Sequence, residues 1–137
     1  MGNDWIVIVT DGKLVFMTGN APLVKDDLLV STDPISDGEW HHVGLTREKK
    51  SGVKTVYIDG VKDVSEVQGP DLPVSNTQDL KIGGKNGKWV EGILDDMALY
   101  SRVLSQAEIL TVMSAGAGVA AVEPMGKLTT TWGMIKN

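Results

Sequence analysis

Residues 53–60 read Val-Lys-Thr-Val-Tyr-Ile-Asp-Gly, and this stretch decides the fold of the chain. Successive side chains of an extended backbone point to opposite faces, so Val56 and Ile58 share one face while Tyr57 lies on the other with its polar neighbours. This alternation predicts a strand with one face in an apolar core and the other half-solvated. An Asp-Gly dipeptide ends the strand, where glycine accepts a positive φ at little cost.

Similar short runs, rich in Val, Ile, Trp, Tyr and Thr, lie on both sides of this stretch and are separated by Asp-Gly, Gly-Gly and Asn-Gly dipeptides. Such punctuation is typical of antiparallel strands joined by tight turns. Asp11-Gly12 predicts a type I′ hairpin, whose two central residues both need a positive φ. The pattern as a whole predicts an all-β sandwich. The predicted strands are residues 4–9, 13–18, 27–31, 39–47, 53–59, 78–83 and 90–100.

One helix is predicted after the last strand. Ser105 is a candidate N-cap, and Glu108 three residues later completes a capping box. Leu104 and Ile109 have the spacing of a hydrophobic staple. Gly116 is placed to end the helix.

The length of 137 residues, with 42% hydrophobic and 23% charged residues, fits one soluble globular domain. We predict that residues 1–115 form the sandwich with its helix. Residues 116–137 form a C-terminal extension, in which the Thr-rich residues 127–131 favour one added strand.

Charge and composition exclude several classes of function. Thirteen Lys and Arg against eighteen Asp and Glu give a net charge of −5, and the isoelectric point near 4.9 disfavours nucleic acid and anionic membrane surfaces as partners. The absence of cysteine excludes disulfides, thiolate metal sites and Cys nucleophiles. The apolar runs are too short for membrane insertion, which needs about 20 residues. The N-terminal residues lack the basic and apolar regions of a signal peptide.

The residues also disfavour catalysis. His41 and His42 are adjacent, so on a strand they point to opposite faces and cannot bind one metal ion together. No Gly-x-Ser-x-Gly turn is present, which favours a structural or hydrogen-bonding histidine over a catalytic one. Carboxylate doublets such as Asp95-Asp96 diverge on a strand, whereas glycoside hydrolysis needs two carboxylates about 5–10 Å apart across a cleft.

Two groups of residues are candidates for binding. Trp89 beside Asn86 forms one cluster and Tyr57, on a face predicted to meet solvent, a second, because sugars stack on aromatic rings near amide and hydroxyl groups. A tryptophan at a loop–strand junction is more often a partly buried anchor, which favours the structural interpretation of Trp89. Asp95-Asp96 lies among apolar neighbours and needs N–H donors or a cation, so a hydrogen-bonded role and calcium ligation both stay open.

Four motifs in sequence order resemble one known family. Residues 37–47, Asp-Gly-Glu-Trp-His-His-Val-Gly-Leu-Thr-Arg, and residues 56–60, Val-Tyr-Ile-Asp-Gly, are similar to the core motif of laminin G-like, concanavalin A-like lectin/glucanase domains. Residues 80–84, Leu-Lys-Ile-Gly-Gly, and residues 92–109, from Gly-Ile-Leu-Asp-Asp to Ala-Glu-Ile, resemble the motifs that follow in this family. The four motifs span residues 37–109.

The resemblance implies an antiparallel two-sheet jelly-roll sandwich used for adhesion or carbohydrate recognition on extracellular or cell-surface proteins. It further implies a structural calcium ion, with Asp95 as the first candidate ligand and Asp96 as the second. Hydrolases of this fold carry a Glu-x-Asp-x-x-Glu strand, which this sequence lacks. The resemblance therefore favours a non-catalytic module that binds a glycan or a protein surface over a glycoside hydrolase.

The sequence departs from the family pattern at its start, because the motifs begin earlier in this chain than in a typical member. We expect a sandwich truncated at its N-terminus, which predicts either a homo-oligomer that completes the sandwich or a fragment of a longer secreted protein. A structural or assembly module whose exposed edges recruit another chain is the alternative function. The tail at residues 122–133 resembles extensions in bacterial surface proteins and suggests a bacterial source.

Overall fold

The computed structural model describes residues 4–19, 28–67, 79–85 and 88–115. Eight strands and one helix occur in these residues. In chain order they are β1 (Asp4–Thr10), β2 (Lys13–Gly19), β3 (Leu28–Pro34), β4 (Val43–Arg47), β5 (Val53–Ile58), β6 (Val61–Val67), β7 (Gly84–Lys85), β8 (Lys88–Trp89) and α1 (Gln106–Ala115).

Six of the strands form two antiparallel sheets, β1-β2-β3 and β4-β5-β6, and β7 pairs with β8 in a separate short hairpin. The main core lies between the two three-stranded sheets. It contains Leu14, Phe16 and Leu29 from the first sheet and Val56 and Ile58 from the second, all buried. The predicted all-β sandwich is confirmed.

Helix α1 covers the opposite face of the second sheet. Ile109 and Val112 form a second buried cluster with Leu104, against which Tyr57 and Tyr100 pack. A Cβ atom on Gly44 would lie 3.4 Å from the Ile109 side chain, so the glycine lets the helix approach strand β4 closely. The second sheet is therefore the middle layer, between the first sheet and the helix.

Two Asp-Gly turns join neighbouring strands: Asp11-Gly12 forms the predicted hairpin, and Asp59-Gly60 leads into β6. Asp11 and Gly12 have φ values of 50° and 76°, and Asp59 and Gly60 have values of 52° and 76°. Both residues of each turn are left-handed, as a two-residue type I′ hairpin requires. The turns fix the registers of β1 on β2 and of β5 on β6.

The predicted helix start is confirmed. The backbone N–H of Ser105 donates to Oε2 of Glu108 at 2.7 Å, and the N–H of Glu108 donates to the Ser105 hydroxyl oxygen at 3.3 Å. Arg102 adds an ion pair to Oε1 of Glu108 at 2.6 Å and, with Ser105, lowers the pKa of that carboxyl to about 2. The predicted C-terminal stop at Gly116 and the added strand at residues 127–131 lie outside the described residues.

Three predicted strands are wrong in part. Residues 79–83 and 90–100 are not strands, and the strand predicted from residue 39 begins at Val43. In the 90–100 segment Asp96 has a φ of 46°, which interrupts the alternation of faces that the sequence pattern implied. Strand β6 was not predicted, because its apolar residues are interspersed with Lys62, Asp63 and Glu66.

Candidate binding surface

The binding residues predicted from sequence do not form one site. Trp89 ends the short strand β8 with 76% of its surface exposed, so its ring is available to a ligand. The predicted solvent exposure of Tyr57 is wrong, because Tyr57 is half-buried against the helix cluster that Leu104 and Ile109 form. Asn86 lies outside the described residues, and its pairing with Trp89 stays a prediction.

Asp95 and Asp96, the calcium ligands predicted from sequence, are exposed and have few polar neighbours in the described residues. Oδ1 of Asp95 accepts a hydrogen bond from the backbone N–H of Asp96 at 2.8 Å. Over residues 4–19, 28–67, 79–85 and 88–115, no three acidic or histidine side chains converge as a metal site would need. Calcium takes six to eight oxygen ligands, so Asp95 and Asp96 alone do not fit the ion. Calcium at this position stays a prediction.

A charged cluster at the start of strand β4 holds the loop that precedes the strand. We call it the His41 clamp, and it consists of Asp37, His41 and Asp59. Nδ1 of His41 lies 2.9 Å from Oδ2 of Asp59, and its Nε2 lies 3.0 Å from Oδ1 of Asp37. Carboxylates only accept hydrogen bonds, so an imidazole bound at both nitrogens by carboxylates is held in its protonated, doubly donating form.

Backbone groups complete the clamp. The N–H of His42 donates to Oδ1 of Asp59 at 2.9 Å, and the N–H of Glu39 donates to Oδ1 of Asp37, also at 2.9 Å. In the other direction, the N–H of Asp59 donates to the carbonyl oxygen of His42 at 2.8 Å. The β5–β6 turn is thereby tied to the loop that enters β4. The prediction that His41 has a hydrogen-bonding role is confirmed.

The clamp shifts the acid–base behaviour of its members. Hydrogen bonds to Asp59 and then to Asp37 raise the pKa of His41 above its ordinary 6.5. The pKa of Asp59 is lowered, mainly by its hydrogen bond with His41. The pKa of Asp37 is lowered first by the backbone N–H of Glu39 and then by His41. Each shift favours the charged forms that the geometry requires.

The clamp presents an exposed tryptophan that the sequence analysis did not single out. Trp40 lies between Glu39, whose backbone N–H donates to Asp37, and His41, whose ring is bound by Asp59 and Asp37. Of the surface of Trp40, 68% is exposed. A large exposed aromatic ring between two residues that are held by hydrogen bonds offers a ligand a face for stacking. The Asp-Gly-Glu-Trp-His stretch contains this tryptophan, but the loop around it is held by contacts with Asp59, which is distant in sequence.

We expect the clamp to stabilise the fold most at mildly acidic pH. Because the pKa of His41 is raised, its contribution is complete below pH about 6.5 and disappears as the pH rises through the folded-state pKa. Because the carboxyl pKa values are lowered, their contribution disappears as the pH falls below about 3.9. Replacing His41 with Gln should therefore cost more stability at pH 6 than at pH 9, measured by urea unfolding.

Trp40→Ala provides the control for this pH series, since it changes the same loop without removing a titrating group. Its difference in unfolding free energy from the parent chain should stay constant between pH 6 and pH 9. A constant difference for His41→Gln as well would contradict the charged clamp.

In the described part of the chain, no helix is long and apolar enough to cross a membrane.

Comparison with models of known families shows which family the chain belongs to. A laminin G family model, described as the Concanavalin A-like lectin/glucanases superfamily, matches residues 2–110. The chain belongs to this superfamily. The matched residues include strand β5 and all three residues of the His41 clamp. Both therefore belong to the laminin G-like domain of this chain.

A curated relative and a solved structure illustrate what this laminin G-like chain is similar to. The mouse basement membrane-specific heparan sulfate proteoglycan core protein is 36% identical over an aligned length of 95 residues, and the alignment covers 61% of this chain and 2% of the mouse protein. The crystal structure of an S-layer domain-containing protein, residues 221–444, from Clostridium thermocellum has a TM-score of 0.52 at 23% identity. It matches 82% of this chain and 57% of that structure, a similarity that concerns the fold alone.

Proposed function

We propose that this chain is a non-catalytic binding module of an extracellular or cell-surface protein, and that it recognises a glycan through Trp40. The exposed Trp40 ring on the His41 clamp is the observation that carries the proposal. The name of the curated relative refers to the basement membrane, an extracellular structure, which supports the location. A protein surface is the second class of partner that the family supports.

The surroundings of Trp40 favour a neutral glycan over a sulfated one. The apolar face of a sugar ring stacks on indole, and its hydroxyl groups need hydrogen-bond acceptors beside the ring. Glu39 is exposed next to Trp40, and the second carboxylate oxygen of Asp37 makes no hydrogen bond to the part of the chain that the structure describes. His41 supplies one positive charge to this group, whereas Asp37, Asp59 and Glu39 supply three negative charges. The net charge is negative, so an anionic glycan would be repelled.

A glycan array that contains matched neutral and sulfated ligands tests this function. The array is screened in the presence of millimolar calcium and again with a chelator. We expect neutral ligands to bind, and loss of binding in the chelator would support a calcium-dependent site and make Asp95 the first residue to mutate. A folded sample that binds no glycan in either condition would contradict the glycan proposal and favour a protein partner.

Trp40→Ala should weaken binding of the best neutral glycan by about tenfold, equivalent to about 1.4 kcal/mol, because the stacking face is lost. Isothermal titration calorimetry measures the change. Trp89→Ala tests the aromatic ring predicted from sequence in the same way. Trp5→Ala is the matched control, since Trp5 lies on strand β1 and is 40% exposed. Unchanged affinity in the Trp40 variant would place the ligand elsewhere.

We also propose that the chain forms a homo-oligomer, because large apolar residues are exposed on more than one face. The largest exposures are at Trp89, Ile93 and Leu99. Exposed large apolar side chains, where they lie together, mark surfaces that associate with other proteins. Light scattering on the purified chain tests self-association independently of the glycan screen.

A further inference from the structure

The loop that carries Trp40 is held by side chains and not by backbone pairing. In the described parts of the chain, residues 36–41 make no hydrogen bond between two backbone groups. The carboxylate of Asp37 accepts the N–H of Glu39, and its other hydrogen bond there is to the His41 ring. The ring in turn binds Asp59 in the β5–β6 turn. The His41 ring therefore joins the turn at Asp37 and Glu39 to the second sheet.

The two carboxylates that bind His41 are not held equally. Asp59 has two further links to the start of strand β4: its Oδ1 accepts the N–H of His42 at 2.9 Å, and its own N–H donates to the carbonyl oxygen of His42 at 2.8 Å. Asp37 lies in the loop itself, and its other partner, Glu39, is only two residues away. Asp59 therefore stays in place without the His41 ring, whereas Asp37 depends on the ring for its position.

Loss of one proton breaks one of the two contacts of the ring. A protonated imidazole donates from both nitrogens, but a neutral imidazole has one donor and one acceptor. When the neutral ring keeps its Nδ1–H toward the fixed Asp59, its Nε2 lone pair faces Oδ1 of Asp37, 3.0 Å away. Two acceptors at this distance do not bind each other. Asp37 is half-exposed, so its carboxylate can turn to water instead.

We propose that the proton on His41 controls glycan binding by Trp40. Protonated His41 is a positioning residue that holds the loop, and neutral His41 releases residues 37–40. A glycan must then restore the order of the loop when it binds, so the apparent affinity is reduced in proportion to the fraction of molecules in which the loop is held. This control by pH rests on the glycan function proposed above.

The charges that contact His41 set the direction of the effect. Hydrogen bonds to Asp59 and then to Asp37 raise the pKa of His41 above 6.5. The proton is therefore bound at pH 6 and is lost as the pH rises through the folded-state pKa. Binding should be tightest at mildly acidic pH, where the two carboxylates are still ionised because their own pKa values are lowered.

Other groups beside the clamp decide which control is needed. Glu39 and His42 are titratable neighbours of the clamp in sequence, and the charge of His42 contributes to the lowered pKa of Asp59. Helix α1 contacts the β5–β6 turn through the uncharged side chains of Gln106 and Leu110. Because histidine is the side chain that changes charge near neutral pH, the experiment must separate His41 from His42.

Fluorine NMR of the whole chain labelled with 5-fluorotryptophan tests the release of the loop without a glycan. The chain has four tryptophans, and Trp40→Phe identifies the resonance of Trp40. This resonance should shift and narrow between pH 6 and pH 9, because a released side chain moves faster. In His41→Gln it should be the same at both pH values, and in His42→Gln it should change as in the parent chain. A parent resonance that does not change, or one that changes equally in His41→Gln, would overturn the proposal.

The neutral glycans of the array, titrated with the chain at pH 6 and at pH 9, test the effect on binding. The affinity of the parent chain should be about tenfold lower at pH 9 than at pH 6. His41→Gln should bind with the same reduced affinity at both pH values, whereas a merely structural His41 would leave the pH dependence in place. Equal affinity of the parent chain at both pH values would overturn the control by His41 and leave the glycan function. Absence of binding at both would overturn the proposed function and this control with it.

Discussion

Phe16→Ala should destabilise the fold by about 3–5 kcal/mol, the cost of removing a buried aromatic ring and leaving a cavity. Phe16 is buried in the centre of the first sheet, where Val7 and Leu29 are its cross-strand neighbours. Its ring faces the second sheet, and the Lys54 ammonium lies 5.7 Å from the ring centroid. The truncation therefore removes apolar contact between the sheets and a cation–π contact at once.

Urea unfolding followed by fluorescence measures this cost from the shift of the transition midpoint. Phe16→Leu keeps most of the apolar volume and should cost less than the alanine variant. Val67→Ala serves as the surface control and should change stability by no more than about 0.5 kcal/mol. A loss below about 1 kcal/mol for Phe16→Ala would mean that the two sheets do not pack through this ring.

Local signals in the sequence predicted local structure well. The Asp11-Gly12 turn and the Ser105–Glu108 capping box each depend on residues within a few positions of one another. Glycine and a short acidic side chain suffice for the turn, and a serine and a glutamate suffice for the cap. Because neither element needs a residue that is distant in sequence, both could be predicted from the sequence alone.

Strand assignments failed where the outcome depends on a neighbour. Residues 90–100 have the alternating apolar pattern of a strand, but a strand exists only when another strand pairs with it. No described strand pairs with this segment, and the left-handed Asp96 interrupts it. Strand β6 shows the reverse case, because its charged sequence predicts a loop while the Asp59-Gly60 turn folds it back onto β5.

The candidate site could be predicted only in part, because it too depends on residues that are distant in sequence. Asp59 lies 18 residues beyond His41 and reaches it only through the β4–β5 pairing. Trp40 lies in the loop that this long-range clamp holds. Tyr57 was expected at the surface because a strand has two faces, and the helix that covers its face follows far along the chain.

Ser31→Ala should cost about 1–3 kcal/mol, because it leaves buried polar backbone groups without partners. Strand β3 bulges opposite Leu14, between the register pairs Lys13–Pro34 and Val15–Val30. The buried Ser31 hydroxyl fills this gap: it accepts the N–H of Leu14 at 3.0 Å and donates to the carbonyl oxygen of Asp33 at 2.7 Å. Alanine can do neither.

The same bulge is held from the second sheet by Asp63, which makes an informative comparison. Its carboxylate accepts the N–H groups of Thr32 at 2.7 Å and Asp33 at 3.2 Å. These bonds are exposed, so water replaces the carboxylate in Asp63→Ala, and this variant should cost less than Ser31→Ala. Ser36→Ala, at an exposed serine, should be nearly neutral. The reverse order, with Asp63→Ala the more damaging variant in urea unfolding, would show that the link between the sheets, and not the buried hydroxyl, holds β3 in register.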